Sequence, residues 1–214
     1  MPEFNHPIDI IHQDRDLLVV GKPAGLLTVP GRGPDKQDCL INRLLIEYPN
    51  SRVVHRLDQA TSGLVIIPQS HAALRHIGEQ FEQRVVSKTY IAVVAGLLPN
   101  DTGSVAWPLI CDWPRRPRQK IDFTDGKAAL THYRVLNRDL EKKCTRVELT
   151  PVTGRSHQLR VHMLAIGHPI MGDQLYAPET VTALNNRLLL HAQSIEFNHP
   201  VTQEKLHIRS CAPF

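Results

Sequence analysis

The hydrophobic positions in the first quarter of the chain fall into short runs separated by turn residues. Apolar and β-branched residues dominate positions 8–12 and 16–23, and this pattern predicts two strands. Prolines and glycines crowd the stretch that follows, which indicates a long loop. In segment 38–49, helical spacing begins after Asp38 and stops before Pro49, so we expect a helix that Asp38 caps.

The middle of the chain alternates between strand-like and helix-like patterns. Positions 64–68 form a continuous apolar run of strand length. Ser70 then stands where a helix cap is expected, and helical spacing continues to about position 84. The apolar stripe of this helix consists of Leu74, Ile77 and Phe81. Positions 88–96 alternate in polarity and are rich in β-branched residues, which predicts another strand.

The remaining segments predict mostly strands and one further helix. The strands are expected at positions 103–107, 129–136, 145–152, 187–197 and 205–210. The helix is expected to begin with Ser156 as its cap and to end at Gly167. Since strands come in consecutive groups and only some are separated by helices, we predict an α+β fold with a central, mostly antiparallel mixed sheet flanked by helices and loops. We expect a single domain over residues 1–214.

Composition excludes several classes of protein. Hydrophobic residues make up 42% of the chain and charged residues 21%, which excludes wholesale disorder and a fibrous repeat. The first ten residues lack the features of a secretory signal, and no stretch approaches the roughly 18 apolar residues of a membrane span, so we expect a cytoplasmic protein. The cysteines are far apart, which favours reduced and mostly buried thiols over a metal cluster or a redox pair. They are Cys39, Cys111, Cys144 and Cys211.

The formal net charge of +4 is mild, but one segment is strongly basic. Residues 113–120, WPRRPRQK, carry four positive charges and no acid, beside an indole ring. The basic residues are Arg115, Arg116, Arg118 and Lys120. Such a loop can follow a phosphate backbone and offer a ring for base stacking, although a merely solvated loop has the same composition.

A charged pair stands directly before a buried strand in HRLDQATSGLVII, residues 55–67. In extended backbone, Arg56 and Asp58 share one face. The small residues that follow allow a sharp turn, which the apolar strand then anchors. This arrangement is typical of a catalytic carboxylate on a rigid element, but a structural arginine–aspartate pair closing a turn would have the same sequence.

A second group of basic side chains lies at the start of the last predicted helix, in TPVTGRSHQLRVH, residues 150–162. Arg155, His157 and Arg160 cluster there, and the helix N-terminus adds partial positive charge, so a phosphate or a carboxylate is favoured nearby. A carboxylate in a dry pocket needs a cation to remain ionised. Arg155 is therefore a candidate partner for Asp58.

Several long motifs occur together along the chain. They are KPAGLLTVPG at 22–31, HRLDQATSG at 55–63, KTYIAVV at 88–94, TGRSHQLRVH at 153–162 and GHPIMGDQLY at 167–176. In content and order, they strongly resemble the RluA family of RNA pseudouridine synthases. The resemblance implies a pseudouridine synthase fold whose cleft takes in a uridine flipped out of folded RNA.

The resemblance also implies roles for individual residues. The catalytic aspartate of the family falls on Asp58, its ring-stacking tyrosine on Tyr90 and its aspartate-pairing arginine on Arg155. Arg56 matches a position expected to fill the space left by the flipped nucleotide or to contact its phosphate. The residues expected to contact RNA are His55, Arg56, Arg115, Arg116, Arg118, Lys120, His157 and Arg160.

Pseudouridine formation breaks the bond between ribose and the uracil nitrogen, rotates the base and rejoins it through carbon. Because the reaction involves no net oxidation or hydrolysis, neither a cofactor nor a metal is expected. Asp58 would begin cleavage either as a nucleophile at the sugar or as a base at the ribose 2′ proton, and the sequence leaves both routes open. Tyr90 would stack on the ring, and its phenol is a candidate acceptor for the proton that leaves the uracil carbon.

Many members of the family carry an additional RNA-binding module that resembles a ribosomal S4 domain. The first predicted strand begins near Ile8, so we expect the compact dual-specificity subgroup, which PLICDWPRRPRQK at 108–120 also resembles. That subgroup modifies an anticodon-loop uridine in transfer RNA and a loop uridine in large-subunit ribosomal RNA. A loop suits the chemistry because extruding its base costs least. We expect these RNAs as partners, no membrane or protein partner, and a monomer.

Three other functions compete with this interpretation. Twelve histidines suggest a metal hydrolase, but they show no H-E-x-x-H motif or helical i, i+4 pair. A glycoside hydrolase would need a second acid near Asp58, and Asp173 is more typical of a turn or cap. A catalytically inactive RNA-binding or RNA-chaperone protein would have no use for a buried carboxylate facing a polyanion.

Overall fold

The computed structural model describes residues 8–214. Residues 1–7, which include most of the segment used to argue against a secretory signal, lie outside the described residues. The chain forms two compact units. The first contains the chain up to Lys88 together with Ala192–Pro213, and the second contains Thr89–His191 together with Phe214.

The α+β fold class predicted from the sequence is confirmed. The strands are β1 (Asp9–Gln13), β2 (Leu17–Lys22), β3 (Ser62–Pro68), β4 (Ser87–Ala95), β5 (Thr102–Val105), β6 (Leu109–Cys111), β7 (Gln119–Ile121), β8 (Thr131–Asp139), β9 (Cys144–Pro151), β10 (Leu190–Asn198) and β11 (Lys205–Arg209). The helices are α1 (Leu40–Glu47), α2 (His71–Glu82), α3 (Gln158–Ala165) and α4 (Glu179–Thr182). Each strand predicted above is present, with its ends within three residues of those expected.

The first unit is built on a sheet with α2 packed against β3. The strand order is β1-β2-β3-β10, and β11 pairs with β10. Every residue of β3 is buried, as its continuous apolar run predicts. The core consists of Leu17, Val19, Leu64, Ile66, Ile77, Val86, Ile195 and Phe197. The predicted cap of α2 is confirmed, since the Ser70 side chain accepts the Ala73 N–H at 3.0 Å.

In α1, by contrast, the predicted cap is wrong. The helix begins one residue later than expected, after Cys39, whose side chain makes no capping hydrogen bond. The Asp38 carboxylate instead binds the guanidinium of Arg43 through two contacts of 2.7 Å, and this ion pair holds the pKa of Asp38 below its usual value. An ion pair across the first turn has therefore replaced the expected cap.

The second unit contains two sheets. Its larger sheet has the antiparallel order β4-β9-β8-β5, and the short strands β6 and β7 form a separate antiparallel pair. We call residues 109–121, which include β6, β7 and the loop between them, the basic hairpin. Helix α3 is buried on all sides rather than amphipathic, since each residue from Gln158 to Met163 is buried.

The described residues contain no helix long and apolar enough to cross a membrane. All four cysteines are free thiols. Cys39 and Cys144 are buried, Cys111 is partly buried and Cys211 is exposed. Burial raises the pKa of the Cys39 and Cys144 thiols, as expected for inert interior groups.

Candidate active site and RNA-binding surface

The turn that carries Asp58 is held in place by hydrogen bonds. The Asp58 carbonyl accepts the Thr61 N–H at 3.1 Å, which closes the turn. Just before it, the Thr28 hydroxyl accepts the Leu57 N–H at 3.2 Å and donates to the Leu57 carbonyl at 2.9 Å. Leu57 is buried and Arg56 is exposed, as the extended spacing predicts. The partly buried Asp58 side chain therefore projects from a rigid turn ahead of β3.

A buried lysine joins this turn to β2. Lys22 is 1% exposed, and its Nζ donates to the carbonyls of Pro23 at 2.8 Å, Leu26 at 2.6 Å and Gln59 at 3.1 Å. Three carbonyls match the three protons of an ammonium group. Because Gln59 follows Asp58 directly, this charge helps to fix the backbone that carries the carboxylate. We did not predict this role for Lys22, although a charged residue ending an apolar strand was a usable signal.

A glycine is required where the turn enters β3. Gly63 has φ 116°, and a Cβ at this position would lie 2.3 to 2.8 Å from backbone atoms of Ala192. No other residue fits this conformation and this close approach without displacing backbone. The backbone conformation and the close contact with Ala192 thus explain why the HRLDQATSG motif ends in glycine.

His55 is a neutral ring that supports the same turn. Its Nε2 accepts the Ile66 N–H at 2.9 Å, and its ring centroid lies 4.8 Å from that of Phe81. Burial, together with the nearby charge of Lys88, lowers the pKa of His55 to about 3. Lys88 itself lies with Nζ 5.2 Å from the Phe81 ring centroid, and burial lowers the pKa of this lysine as well. A contact between His55 and RNA would therefore not be an ion pair near neutral pH.

Tyr90 and Arg155 belong to the second unit. Tyr90 lies in β4, opposite Leu149 of β9, and is partly buried. Arg155 follows β9, and its exposed side chain donates from Nε to the Ala128 carbonyl at 3.1 Å. The pairing of Arg155 with Asp58 stays a prediction.

The segment around Arg155 is organised by the buried side chain of Gln158. Its Oε1 accepts the Arg155 N–H at 2.9 Å and the Thr153 hydroxyl at 2.8 Å, and its Nε2 donates to the Leu130 carbonyl at 3.0 Å. The expected Ser156 cap is wrong, because α3 begins after His157. His157 adopts a left-handed conformation with φ 55° and makes no side-chain capping bond. Gln158 is the first residue of α3, and its amide binds the Arg155 N–H, which lies upstream of the helix.

The structure corrects the prediction that Arg160 contacts RNA. Its Nε and Nη2 bind the two carboxylate oxygens of Asp173 at 2.8 and 2.6 Å, and the two side chains are 4% and 1% exposed. Asp173 Oδ1 also accepts the N–H groups of Leu175 and Tyr176, which confirms its expected role in a turn. Arg160 is thus part of the interior, where a phosphate does not reach it.

The basic side chains of the basic hairpin differ in their surroundings. Arg115 pairs with the buried Asp112 at 2.7 Å, and Lys120 pairs with Asp122 at 3.0 Å. Arg116 instead stacks on the Trp113 ring, with its guanidinium carbon 3.4 Å from the ring centroid. Trp113 is 64% exposed, so the pair presents a flat cationic and aromatic surface to solvent. This is the combination that single-stranded nucleic acid prefers.

One group of side chains in the first unit has the spacing of metal ligands. Asp14, Asp16 and His199 place potential ligand atoms within 4.8 Å of one another. Both carboxylate oxygens of Asp14 already have partners, since Oδ1 accepts the Asp16 N–H at 2.8 Å and Oδ2 lies 2.8 Å from His12 Nε2. His199 Nδ1 accepts the N–H groups of Val201 and Thr202, which places its proton on Nε2, 3.2 Å from Asp14. A metal on Nε2 would have to displace that proton, so we interpret the group as a hydrogen-bonded turn.

Comparison with known proteins agrees with the motifs. The family model described as RNA pseudouridylate synthase matches residues 16–165. The dual-specificity RNA pseudouridine synthase RluA of Pasteurella multocida is 52% identical over 205 residues, which cover 96% of this chain and 93% of that protein. The protein of the same name from Yersinia pestis is 48% identical over 205 residues, which cover 96% and 99% of the two chains.

Solved structures give the same result at the level of the fold. Human RNA pseudouridylate synthase domain containing 1 superposes with a TM-score of 0.82 at 29% identity, over 97% of this chain and 84% of that chain. Human RNA pseudouridylate synthase domain containing 4 gives 0.77 at 26% identity, over 96% and 88%. Since the family model covers more than half of the chain and the relatives align over nearly all of it, the chain belongs to the RNA pseudouridylate synthase family.

Proposed function

We propose that the protein isomerises a loop uridine of structured RNA to pseudouridine, and that its substrates are the anticodon loop of transfer RNA, a loop of large-subunit ribosomal RNA, or both. One observation carries this proposal. Relatives named dual-specificity RNA pseudouridine synthase are 44 to 52% identical over 94 to 100% of this chain, and the alignment covers 83 to 99% of their own length. Because those relatives are named as synthases, catalysis is favoured over an inactive RNA-binding or RNA-chaperone protein.

Asp58 is the proposed catalytic residue. It is the acid of the HRLD motif, and the turn beneath it is held by the Thr61 amide, the Thr28 hydroxyl and the Lys22 ammonium. A carboxylate on a preorganised turn can attack the sugar or remove its 2′ proton without first paying for a backbone rearrangement. Both routes cleave the bond between the ribose and the uracil nitrogen, both regenerate the Asp58 carboxylate once the uracil carbon has bonded to the ribose, and neither needs a cofactor.

Tyr90 and Arg155 are the proposed companions of Asp58. The Tyr90 ring would stack on the flipped uracil, and its oxygen, in the phenolate form, would accept the proton that leaves the uracil carbon. The Arg155 guanidinium would pair with the Asp58 carboxylate and keep it ionised when RNA excludes water. Gln158, which binds the backbone N–H of Arg155, supports the position of that arginine.

The RNA would be held by Arg56 and by the basic hairpin. Arg56 is exposed and lies two residues before Asp58, a position suited to the gap that the flipped nucleotide leaves. On the hairpin, the stacked Trp113 and Arg116 would receive an unpaired base, and Arg118 would add a phosphate contact. Arg115 and Lys120 would contribute less, because each already has a carboxylate partner.

We further propose that residues 1–214 act as one catalytic domain, as a monomer in the cytoplasm. The family model itself runs from the first unit into the second, which supports the first of these points.

Mapping the modified nucleotide tests the choice of substrate. Transcripts of transfer RNA anticodon arms and of large-subunit ribosomal RNA loops are incubated with the protein, treated with a carbodiimide and read by reverse transcription. We expect a stop at a single loop uridine in either or both RNAs, and no stop after that uridine is replaced by cytidine. Stops in neither class of RNA would contradict the proposed substrates.

A further inference from the structure

A single phenol connects the basic hairpin to the start of α3. The Tyr176 hydroxyl accepts the backbone N–H of Gln119 at 2.7 Å, and it lies 2.6 Å from Nδ1 of His157. Gln119 begins β7 and follows Arg118 directly, while His157 lies two residues after Arg155. One hydroxyl thus joins the segment proposed to dock RNA to the segment proposed to serve Asp58.

The Tyr176 hydroxyl can accept a hydrogen bond from one of these two groups and donate one to the other. A backbone amide only donates, so the Gln119 N–H occupies a lone pair of the phenol oxygen. The phenol still has its one proton, and the His157 Nδ1 atom lies 2.6 Å from the phenol oxygen. If Tyr176 donates this proton to Nδ1, the proton of a neutral His157 ring lies on Nε2.

The backbone around His157 is strained and held from two sides. His157 has φ 55°, in the left-handed region that residues other than glycine rarely adopt, and such conformations persist where neighbouring contacts determine them. Gln158 holds one side of the segment through the Arg155 amide. Tyr176 holds the other, since its ring packs edge-on against the His157 ring at 84° and 5.6 Å between centroids.

Tyr176 is itself immobilised by the buried ion pair. Asp173 Oδ1 accepts the Tyr176 N–H at 3.2 Å, and the Arg160 guanidinium carbon lies 5.1 Å from the Tyr176 ring centroid. The ring also packs against the cluster of Leu109, Ala129 and Val161, and Leu109 belongs to β6, the first strand of the hairpin. The hydroxyl therefore has a fixed position between Gln119 and His157.

We propose that Tyr176 is a positioning residue that couples RNA binding on the basic hairpin to the segment of Arg155 and His157, and that it holds His157 in the Nε2–H tautomer. This inference rests on the proposed function, because it assigns the hairpin to RNA. With this tautomer, Nε2 of His157 is a hydrogen-bond donor. When RNA displaces the hairpin, the displacement reaches the His157 ring through the Tyr176 hydroxyl.

The conservative variant Tyr176→Phe removes the hydroxyl and keeps the ring, and Tyr48→Phe is its matched control. Tyr48 makes an exposed hydroxyl contact with Gln13 Oε1 at 3.2 Å in the first unit. The first measurement is the 15N NMR spectrum of histidine-labelled protein, with His157 assigned by loss of its signals in His157→Gln. We expect a protonated Nε2 and an unprotonated Nδ1 in the wild type and in Tyr48→Phe, and a mixture of tautomers in Tyr176→Phe. A protonated Nδ1 in the wild type, or an unchanged tautomer in Tyr176→Phe, would overturn the assignment.

The second measurement is a double-mutant cycle on the affinity for a transfer RNA transcript. The fold losses of Arg116→Ala and His157→Gln are measured singly and together, first with Tyr176 present and then in Tyr176→Phe. We expect the combined loss to differ from the product of the single losses by at least about threefold with Tyr176 present, and to match it within about twofold in Tyr176→Phe. Losses that multiply in both backgrounds would contradict the coupling. Neither readout requires turnover, so absence of pseudouridine would refute the proposed function and leave this test intact.

Discussion

Arg160 and Asp173 form a bidentate ion pair in the interior of the second unit. Nε to Oδ2 measures 2.8 Å and Nη2 to Oδ1 measures 2.6 Å, with side chains 4% and 1% exposed. The same carboxylate caps the backbone at Leu175 and Tyr176. The second arginine of the TGRSHQLRVH motif therefore stabilises the fold around the site and does not bind RNA itself.

Breaking this pair should destabilise the protein strongly. Arg160→Met leaves the Asp173 carboxylate buried without its cation, and we expect the free energy of unfolding to fall by about 3–5 kcal/mol. The double variant Arg160→Met with Asp173→Leu should lose less than the sum of the single losses, since no charge remains unpaired. Urea unfolding followed by circular dichroism measures all four proteins. Additive losses would contradict the assignment.

His55 should make the protein less stable in acid. Its pKa is about 3 in the folded protein and about 6.5 when unfolded, so only the unfolded chain binds this proton between those values. Stability from this source is complete above about pH 6.5 and falls as pH decreases towards 3, by about 2 kcal/mol at pH 5. The proton would also displace the Ile66 N–H from Nε2.

The variant His55→Gln isolates this effect, because glutamine keeps a hydrogen-bond acceptor and does not titrate. Urea unfolding between pH 7 and pH 4 should show a shallower loss of stability for His55→Gln than for the wild type. The exposed His71→Gln serves as control and should follow the wild type. Parallel curves for His55→Gln and the wild type would exclude a neutral, desolvated His55.

Within the basic hairpin, Arg116 and Arg118 should contribute more to RNA affinity than Arg115 and Lys120. Replacing the first two with alanine should reduce the slope of log affinity against log salt by about 1 per lost phosphate contact, while the single-turnover rate at saturating RNA is preserved. Replacing Arg115 and Lys120 should have the smaller effect, because Asp112 and Asp122 already neutralise them.

Filter binding of a transfer RNA transcript at several salt concentrations gives both slopes. Alanine at Arg75 and Arg84, two exposed positions of the first unit, provides a control for the loss of net charge. Equal slopes for the hairpin variants and this control would mean that the hairpin is a solvated loop that does not contact RNA.

Arg155 should act on the chemical step more than on binding. If it serves Asp58, Arg155→Ala should lower the single-turnover rate by at least about 100-fold, the scale of one lost electrostatic partner at a reacting group, while the affinity for RNA changes less than about tenfold. Quench-flow measurement with labelled transfer RNA separates the two quantities. Loss of affinity with an unchanged rate would instead assign this exposed arginine to the RNA backbone.

The strands were predictable because their signals are local. The alternation of β4 and the continuous apolar run of β3 are visible in a few consecutive residues. Strands β6 and β7 were missed, because three residues are too few to show the alternation of apolar and polar positions that predicts a strand. The short helix α4 was missed for the same reason, since four residues are little more than one turn.

The motifs identified the proposed catalytic residues. They did not predict which side chains are buried or which residues from other segments they contact. Arg160 has the same charge as an RNA-binding arginine, and only its partner thirteen residues away distinguishes it. Ser156 has the chemistry of a helix cap, but α3 begins only after His157, whose left-handed backbone was not predicted. Lys22 and Tyr176 act through carbonyls and amides of other segments, and sequence spacing gives no information on such contacts.

Tritium release from transfer RNA labelled at carbon 5 of uridine tests the central claim most directly, since isomerisation frees that hydrogen. Wild type is compared with Asp58→Asn, after circular dichroism and RNA binding show that both proteins are folded and bind equally. We predict release by the wild type up to one equivalent per modified uridine, and none by Asp58→Asn. Comparable release by Asp58→Asn would contradict the assignment of Asp58 as the catalytic residue.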